Sequence, residues 1–154
     1  MKKVLSKIAL ATTLTVMSGS AFADGHIDNA IKARQAQMNL YAFNLGALGA
    51  MAKGQVEYDA EAATKAATNL VTLMSLDQSM YWPQGSDSGS AKSNTKADMW
   101  ANFPDVMAKG KATYEAAVAM QAAAGTDLDA LRGAMGALGG ACTACHKAYR
   151  EPMN

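Results

Sequence analysis

The sequence predicts an all-α protein, folded as an antiparallel four-helix bundle. Glycine and proline divide the region after residue 24 into four long stretches, and within each stretch apolar residues recur every three or four positions. No segment alternates apolar and polar residues as a strand would. Four narrow apolar stripes joined by mostly short connections are best buried when the helices pack lengthwise against one another.

The first helix is predicted over residues 27–53. Its stripe advances in steps of three and four and consists of Ile27, Ile31, Arg34, Met38, Tyr41, Leu45 and Leu48. Arg34 is the one charged member. Burying an unpaired guanidinium is costly, so a buried Arg34 requires an anionic partner. The alternative is that its side chain extends from the edge of the seam into solvent.

The second helix is predicted over residues 59–77, with Asp59 as its N-cap. Residues 79–94 follow, and they are rich in turn-forming residues. We expect an irregular crossover between helices there, too polar to be a core element.

The third helix is predicted over residues 96–124. Pro104 removes a backbone hydrogen bond and clashes with the preceding turn, so we expect a break near Asn102 and Phe103. The residues expected to face inward are Trp100, Phe103, Met107, Tyr114 and Ala117.

The fourth helix is predicted to open at Thr126, with Asp129 completing an approximate capping box. Its stripe consists of Leu128, Leu131, Met135, Leu138, Cys142, Cys145 and Tyr149. Both cysteines of the chain therefore lie on a face expected to be buried.

The N-terminus has the features of a secretory signal peptide. A lysine-rich start precedes an apolar segment too short to span a bilayer and the cleavage motif Ala21-Phe22-Ala23. We expect residues 1–23 to be removed and residues 24–154 to form one periplasmic domain without a membrane anchor. Removal of three lysines leaves 11 basic and 13 acidic residues, a formal net charge of −2. That balance argues against nucleic acid as a partner.

The segment Cys142-Thr143-Ala144-Cys145-His146 has the C-x-x-C-H spacing of covalent c-type haem attachment. Residues three apart share a helix face, so both thiols can form thioethers along one porphyrin edge, and the adjacent imidazole can bind the iron. A disulfide would close a very small loop, and a thioredoxin-like pair requires a βαβ unit. Zinc requires four ligands, and beyond this motif the chain offers only His26.

Three segments together resemble the class II c-type cytochromes, which include cytochrome c′. They are the C-terminal attachment motif from Cys142 to Arg150, the segment Ala33-Arg34-Gln35 and the segment Lys96-Ala97-Asp98-Met99-Trp100. The resemblance spans almost the whole chain after the leader. It implies a four-helix bundle with one covalently bound haem c per chain, and often a homodimer formed through the first two helices.

Three further residues are predicted to belong to the haem site. A haem propionate is the obvious anion for Arg34, and the resemblance suggests the same pairing. The resemblance places Met38 over the distal face of the haem, as an iron ligand or as a covering side chain. It places Arg150 near the proximal imidazole, whereas the helix dipole gives an equally good account of an arginine there.

We expect a one-electron carrier that exchanges electrons with protein partners, with iron bound by His146 and possibly Met38. The alternative is a five-coordinate protein that binds nitric oxide or carbon monoxide at an open distal site. An enzyme such as a peroxidase is not expected, because neither Met38 nor its neighbours Leu40 and Tyr41 provide an evident distal acid or base.

Overall fold

A computed structural model describes residues 20–152, with side chains described from residue 25 onward. The five α-helices of this region are α1 (Ser20–Ala52), α2 (Ala60–Met74), α3 (Asp98–Ala101), α4 (Phe103–Ala124) and α5 (Leu128–Tyr149). One 3-10 turn, Ser79–Tyr81, lies between α2 and α3. Residues 1–19 of the predicted leader lie outside the described residues, so the domain boundary at residue 24 stays a prediction.

The four long helices form the predicted bundle. Short connections join α1 to α2 and α4 to α5, so each of these pairs runs antiparallel. Helix α5 packs most extensively on α4, α2 contacts both α1 and α4, and α1 and α5 meet over a smaller area. The predicted all-α class and bundle architecture are therefore confirmed. None of the described helices is long and apolar enough to cross a membrane.

The helix ends confirm one predicted cap and correct another. The Asp59 carboxylate accepts from the backbone N–H groups of residues 61 and 62 at the start of α2. Helix α2 ends at Met74, three residues before the predicted end, and the N–H of Ser75 closes its last turn. At the start of α5 the cap is Asp127, which accepts from the N–H of Ala130, so the box predicted for Thr126 and Asp129 is wrong.

Pro104 breaks the third helix as predicted. Asn102 separates the single turn of α3 from α4, and its φ of −120° lies outside helical values. Proline is tolerated in the first turn of α4, where no hydrogen-bond acceptor is available for a backbone N–H. The break therefore falls where the sequence places it.

The core is built from a few large side chains and many alanines. The fully buried large apolar residues are Leu48, Leu70, Met120, Leu131 and Leu138. On α4 the buried face passes through Ala117, Met120 and Ala124. Phe103, Met107 and Tyr114 were expected to face inward, and this is wrong: their exposed fractions are 51%, 59% and 39%. They lie about a quarter of a turn from the buried face, as 3.6 residues per turn requires.

The crossover between α2 and α3 is irregular, as predicted, and it is tied to the end of α5. Thr95 and Arg150 form an isolated antiparallel bridge. The N–H of Lys96 donates to the carbonyl of Tyr149 at 2.9 Å, and the N–H of Glu151 donates to the carbonyl of Asn94 at 2.8 Å. These bonds fix the crossover against the helix that carries both cysteines.

Leu131→Ala tests the packing of this core. Leu131 is fully buried on α5, about three turns before Cys142, so we expect its truncation to lower the free energy of unfolding by about 2–5 kcal/mol. Leu76→Ala is the matched control, because Leu76 is 49% exposed and its truncation is expected to cost less than about 1 kcal/mol. Denaturant unfolding of the two variants measures both values. Equal losses would contradict this assignment of the core.

Candidate haem-binding site

Cys142, Cys145 and His146 lie on the last two turns of α5, and all three are half-buried. Both thiols are free, so the disulfide alternative is not realised. Burial raises the pKa of both thiols above its usual value, and for Cys142 the neighbouring Cys145 adds to the effect. The cysteines are less buried than the stripe predicted, whereas Leu138 before them and Tyr149 after them are buried. Two accessible thiols on one helix face suit attachment of a single large group.

The zinc alternative lacks ligands in this part of the chain. In residues 20–152 there is no group of three or more His, Cys, Asp and Glu side chains that could hold a metal ion. His26 is exposed near the start of α1.

The environment of His146 favours a neutral imidazole. Burial lowers the pKa of His146 below its usual value, and the positive charge of Arg150 lowers it further. A neutral ring offers a nitrogen lone pair to a metal, which a protonated ring does not. Both effects favour the protonation state that a metal ligand requires.

Arg34 is almost completely buried, with 4% of its surface exposed, so the solvent-facing alternative is wrong. One terminal nitrogen donates to the hydroxyl of Ser86 at 2.7 Å and to the carbonyl of Tyr81 at 3.2 Å. The other donates to the carbonyl of Ser86 and to the hydroxyl of Ser93 at 2.6 Å. The guanidinium also stacks over the ring of Trp82, 4.8 Å from its centroid.

The hydrogen-bond partners of Arg34 are all neutral. None of the ion pairs formed by the described residues includes Arg34. Burial lowers the pKa of its guanidinium, which nevertheless remains charged because its usual pKa is so high. A buried cation without a carboxylate is costly. A haem propionate would supply the missing anion, so the residues present fit this group.

Met38 lies one turn after Arg34 on the same face of α1 and is half-buried. Around it the helix buries a polar network that the sequence did not reveal. The amide nitrogen of Gln37, Nε2, donates to the hydroxyl of Tyr41 at 2.7 Å and to the carbonyl of Leu73 at 2.8 Å. Burial raises the pKa of Tyr41 to about 12. The spacing of Gln37 and Tyr41 by four residues was the available signal.

Arg150 is exposed and immediately follows α5. Its backbone N–H donates to the carbonyl of His146 at 2.9 Å, which closes the last turn of the helix. Its charge contributes to the lowered pKa of His146. Arg150 is therefore close enough to influence the charge of the imidazole, and its role beside a haem stays a prediction.

A second feature missed by the sequence joins α4 to α5 near Cys145. The hydroxyl of Tyr149 donates to the carboxylate of Asp105, which also pairs with Lys109 at 3.3 Å. The hydrogen bond from Tyr149 is the largest cause of the lowered pKa of Asp105. The same bond raises the pKa of Tyr149 to about 12. No local sequence signal joins residues on two different helices.

Comparison with known proteins decides the family. The sequence model of the family Cytochrome C' matches residues 29–150. A cytochrome c-554 from Cereibacter sphaeroides is 44% identical over 146 residues, which cover 93% of this chain and 95% of the relative. The chain belongs to the cytochrome c′ family. The predicted class II c-type cytochrome is thereby confirmed.

Solved structures of cytochrome c′ have the same fold. Cytochrome c′ from Rhodobacter Spheriodes superposes with a TM-score of 0.81 at 37% identity, covering 82% of this chain and 98% of that one. A nitric oxide complex of a mutant cytochrome c prime from Alcaligenes xylosoxidans gives 0.73 at 32% identity, with 82% and 97% covered. As a member of this family, the cytochrome carries one covalently attached haem c, as predicted.

Arg34→Lys tests the anchoring of the crossover in this cytochrome. Lysine keeps the positive charge but loses the planar fork that reaches Ser86 and Ser93 together. We expect the free energy of unfolding to fall by about 2 kcal/mol, and the N–H groups of Ser88 and Lys96 to exchange faster with deuterium. Arg132→Lys, at a more exposed arginine, is the control and should change neither measurement appreciably. Identical behaviour of the two variants would contradict the anchoring role.

Tyr149→Phe tests the bond to Asp105 through its pH dependence. A lowered carboxyl pKa stabilises the fold above about pH 4, and this contribution is lost on acidification. A raised phenol pKa stabilises the fold below about pH 10 and is lost as the pH rises toward 12. The variant should therefore be less stable at neutral pH, and the difference from wild type should shrink toward both extremes.

Unfolding free energies measured across the pH range check this expectation. Tyr114→Phe is the control, because Tyr114 is 39% exposed and is expected to show no such profile. A difference for Tyr149→Phe that is constant with pH would mean that the hydroxyl contributes packing alone.

Proposed function

We propose that this protein is a periplasmic one-electron carrier. Cys142 and Cys145 would hold the haem, His146 and Met38 would bind its iron, and Arg34 would pair with a propionate. The observation that supports this proposal most is the placement of Met38, half-buried one turn beyond the buried Arg34 cation on the same face of α1. An anion held by Arg34 would lie on the same face of α1 as the Met38 thioether.

The side chains have separate roles in this proposal. When bound, the haem supplies a reversible couple between Fe(III) and Fe(II). The neutral imidazole of His146 would offer its lone pair to the iron. The buried Arg34 would offset the negative charge of a propionate. Tyr41 packs against the same core as Cys142 and would limit the access of water to the haem from the side of α1. The electron transfer itself requires no proton-transferring side chain.

The surroundings of Met38 support a carrier rather than an enzyme. The polar side chains buried along this part of α1 are Arg34, Gln37 and Asn44, and Tyr41 is half-buried beside them. Gln37 and Asn44 do not titrate, and a pKa of about 12 keeps Tyr41 protonated near neutral pH. None of these groups is suited to general acid or base catalysis.

A second candidate function is the binding of a diatomic gas. A related cytochrome c prime forms a nitric oxide complex as a mutant, and Met38 is only half-buried on a flexible side chain. If Met38 covers the iron without binding it, nitric oxide or carbon monoxide can take the sixth position. The two functions therefore differ in the role of one thioether.

The predicted export signal supports the periplasmic location, and redox proteins are the proposed partners. The predicted homodimer through α1 and α2 also remains part of this proposal. Leu40 and Phe43 on α1 and Val56 after it are exposed, with fractions of 48%, 76% and 53%. Such a group of apolar side chains is suited to contact with a second copy.

Met38→Ala separates the two candidate functions. If the thioether binds the iron, the oxidised wild type is low-spin with an iron–sulfur charge-transfer band, and the variant loses that band and becomes high-spin. We also expect the reduction potential to fall in the variant. Optical and paramagnetic-resonance spectra of the oxidised proteins provide the measurement.

Met107→Ala is the matched control, because Met107 is a 59% exposed methionine on α4 and its loss should leave the spectrum unchanged. A wild-type spectrum that is high-spin and insensitive to Met38→Ala would rule out ligation. That result would favour the gas-binding function.

A further inference from the structure

A recess of about 410 Å³ lies on the outer side of α5, beside the attachment motif. It is lined by Lys96, Thr143, His146, Lys147, Arg150, Glu151 and Pro152. We call this the α5 recess. Neither Cys142 nor Cys145 lines it, and neither does Arg34 or Met38.

The helical spacing of its lining residues separates the α5 recess from the haem-binding face. Thr143 and Lys147 are exposed and lie four residues apart on one outward face of α5, and the exposed Arg150 lines the same recess just after the helix. The cysteines lie on the opposite, partly buried side of α5. His146 is half-buried at the border between the two. The recess therefore reaches from solvent to the residue proposed as the axial ligand.

The α5 recess is strongly cationic for a chain whose formal net charge is only +1. Lys96, Lys147 and Arg150 form no ion pair with any residue in the described part of the chain. Four cations elsewhere on the surface have carboxylate partners: Lys65, Lys109, Lys111 and Arg132. Lys32, Lys53 and Lys92 are also outside the ion pairs of the described residues, but none of them lines the recess. The one acid in the recess, Glu151, accepts from the hydroxyl of Ser88 at 3.0 Å. The recess therefore gathers three cations and one carboxylate, with Lys147 and Arg150 exposed and Lys96 half-buried.

The backbone holds these charges in place. Lys96 precedes α3, whereas Lys147 lies at the end of α5 and Arg150 just after it, yet two backbone hydrogen bonds of one antiparallel bridge join these segments. The N–H of Lys96 donates to Tyr149, and Thr95 bridges Arg150. Arg34 secures the same crossover from inside through Ser86 and Ser93. A positive surface that is already ordered loses little entropy when it docks a partner.

We propose that the α5 recess is the docking surface for the acidic face of a redox partner protein. This inference rests on the proposed carrier function and names its partner class. A carboxylate-rich surface complements the three cations and is steered toward His146 by their field. In the exchange, one electron leaves the reduced partner and converts Fe(III) to Fe(II), so the partner loses one electron and no bond forms or breaks.

Lys147→Glu tests the docking surface, with Lys53→Glu as the matched control. Both lysines are exposed and both substitutions change the net charge equally, but Lys53 lies just after α1, at the opposite end of the bundle. The probe is a reduced plant-type ferredoxin, a strongly acidic one-electron donor. We expect Lys147→Glu to lower the bimolecular rate constant about tenfold at low salt, and Lys53→Glu about twofold or less.

Lys96 lies on a different segment from the imidazole. We expect Lys96→Glu to lower the bimolecular rate constant by a similar factor. The difference between the variants should vanish near about 0.5 M salt, where exposed charges are screened. Titration calorimetry with oxidised ferredoxin measures binding without electron transfer. We expect Lys147→Glu and Lys96→Glu to bind more weakly than Lys53→Glu. Midpoint potentials and oxidised spectra should match wild type, which excludes an effect through His146.

Equal rates and affinities for Lys147→Glu and Lys53→Glu would overturn the proposal. Wild-type sedimentation with phosphatidylglycerol vesicles at physiological salt, lost in Lys147→Glu, would also overturn it and assign the recess to a membrane surface. Failure of the carrier function itself would look different, because the oxidised wild type would then be high-spin and its spectrum insensitive to Met38→Ala.

Discussion

The buried guanidinium of Arg34 constrains the whole end of the bundle that carries the attachment motif. The crossover supplies its neutral hydrogen-bond partners. The crossover must therefore fold back over α1, because the buried cation would otherwise lack hydrogen-bond acceptors. The crossover in turn pairs with the end of α5 through Thr95 and Arg150. One charged side chain therefore connects the first helix with the last, and it still lacks an anion. A propionate in this space would balance the charge and explain why an arginine is buried in an otherwise apolar stripe.

The two ends of the bundle are filled differently. Away from the motif, Leu48, Met120 and Leu131 close the core completely. Helices α1 and α5 meet over a smaller area than α4 and α5, and near the motif Met38 and Cys142 are only half-buried. Alanine and glycine provide little bulk there, so side chains alone leave this end less well packed. A covalently attached porphyrin would add apolar surface where the helices provide least.

The sequence predicted the features that depend on local spacing and missed those that depend on tertiary contacts. Helical periodicity predicted the bundle, and Pro104 predicted the break before α4. The C-x-x-C-H motif predicted the haem chemistry. The buried face of α4 was misplaced because Phe103 and Met107 are large and apolar, although small Ala117 and Ala124 form the contact. The burial of Arg34 was left open, because its partners are about fifty residues away. The bond from Tyr149 to Asp105 had no local signal, since it joins two helices.

The central claim is that Cys142 and Cys145 each bond one edge of a single haem. Intact mass spectrometry of the exported, processed chain tests this most directly, after acidic organic extraction that removes any haem held without covalent bonds. We expect the wild type to retain the mass of one iron protoporphyrin above the chain mass, and the double variant Cys142→Ala/Cys145→Ala to have the bare chain mass. A wild-type protein that extracts to the bare chain mass would contradict the account.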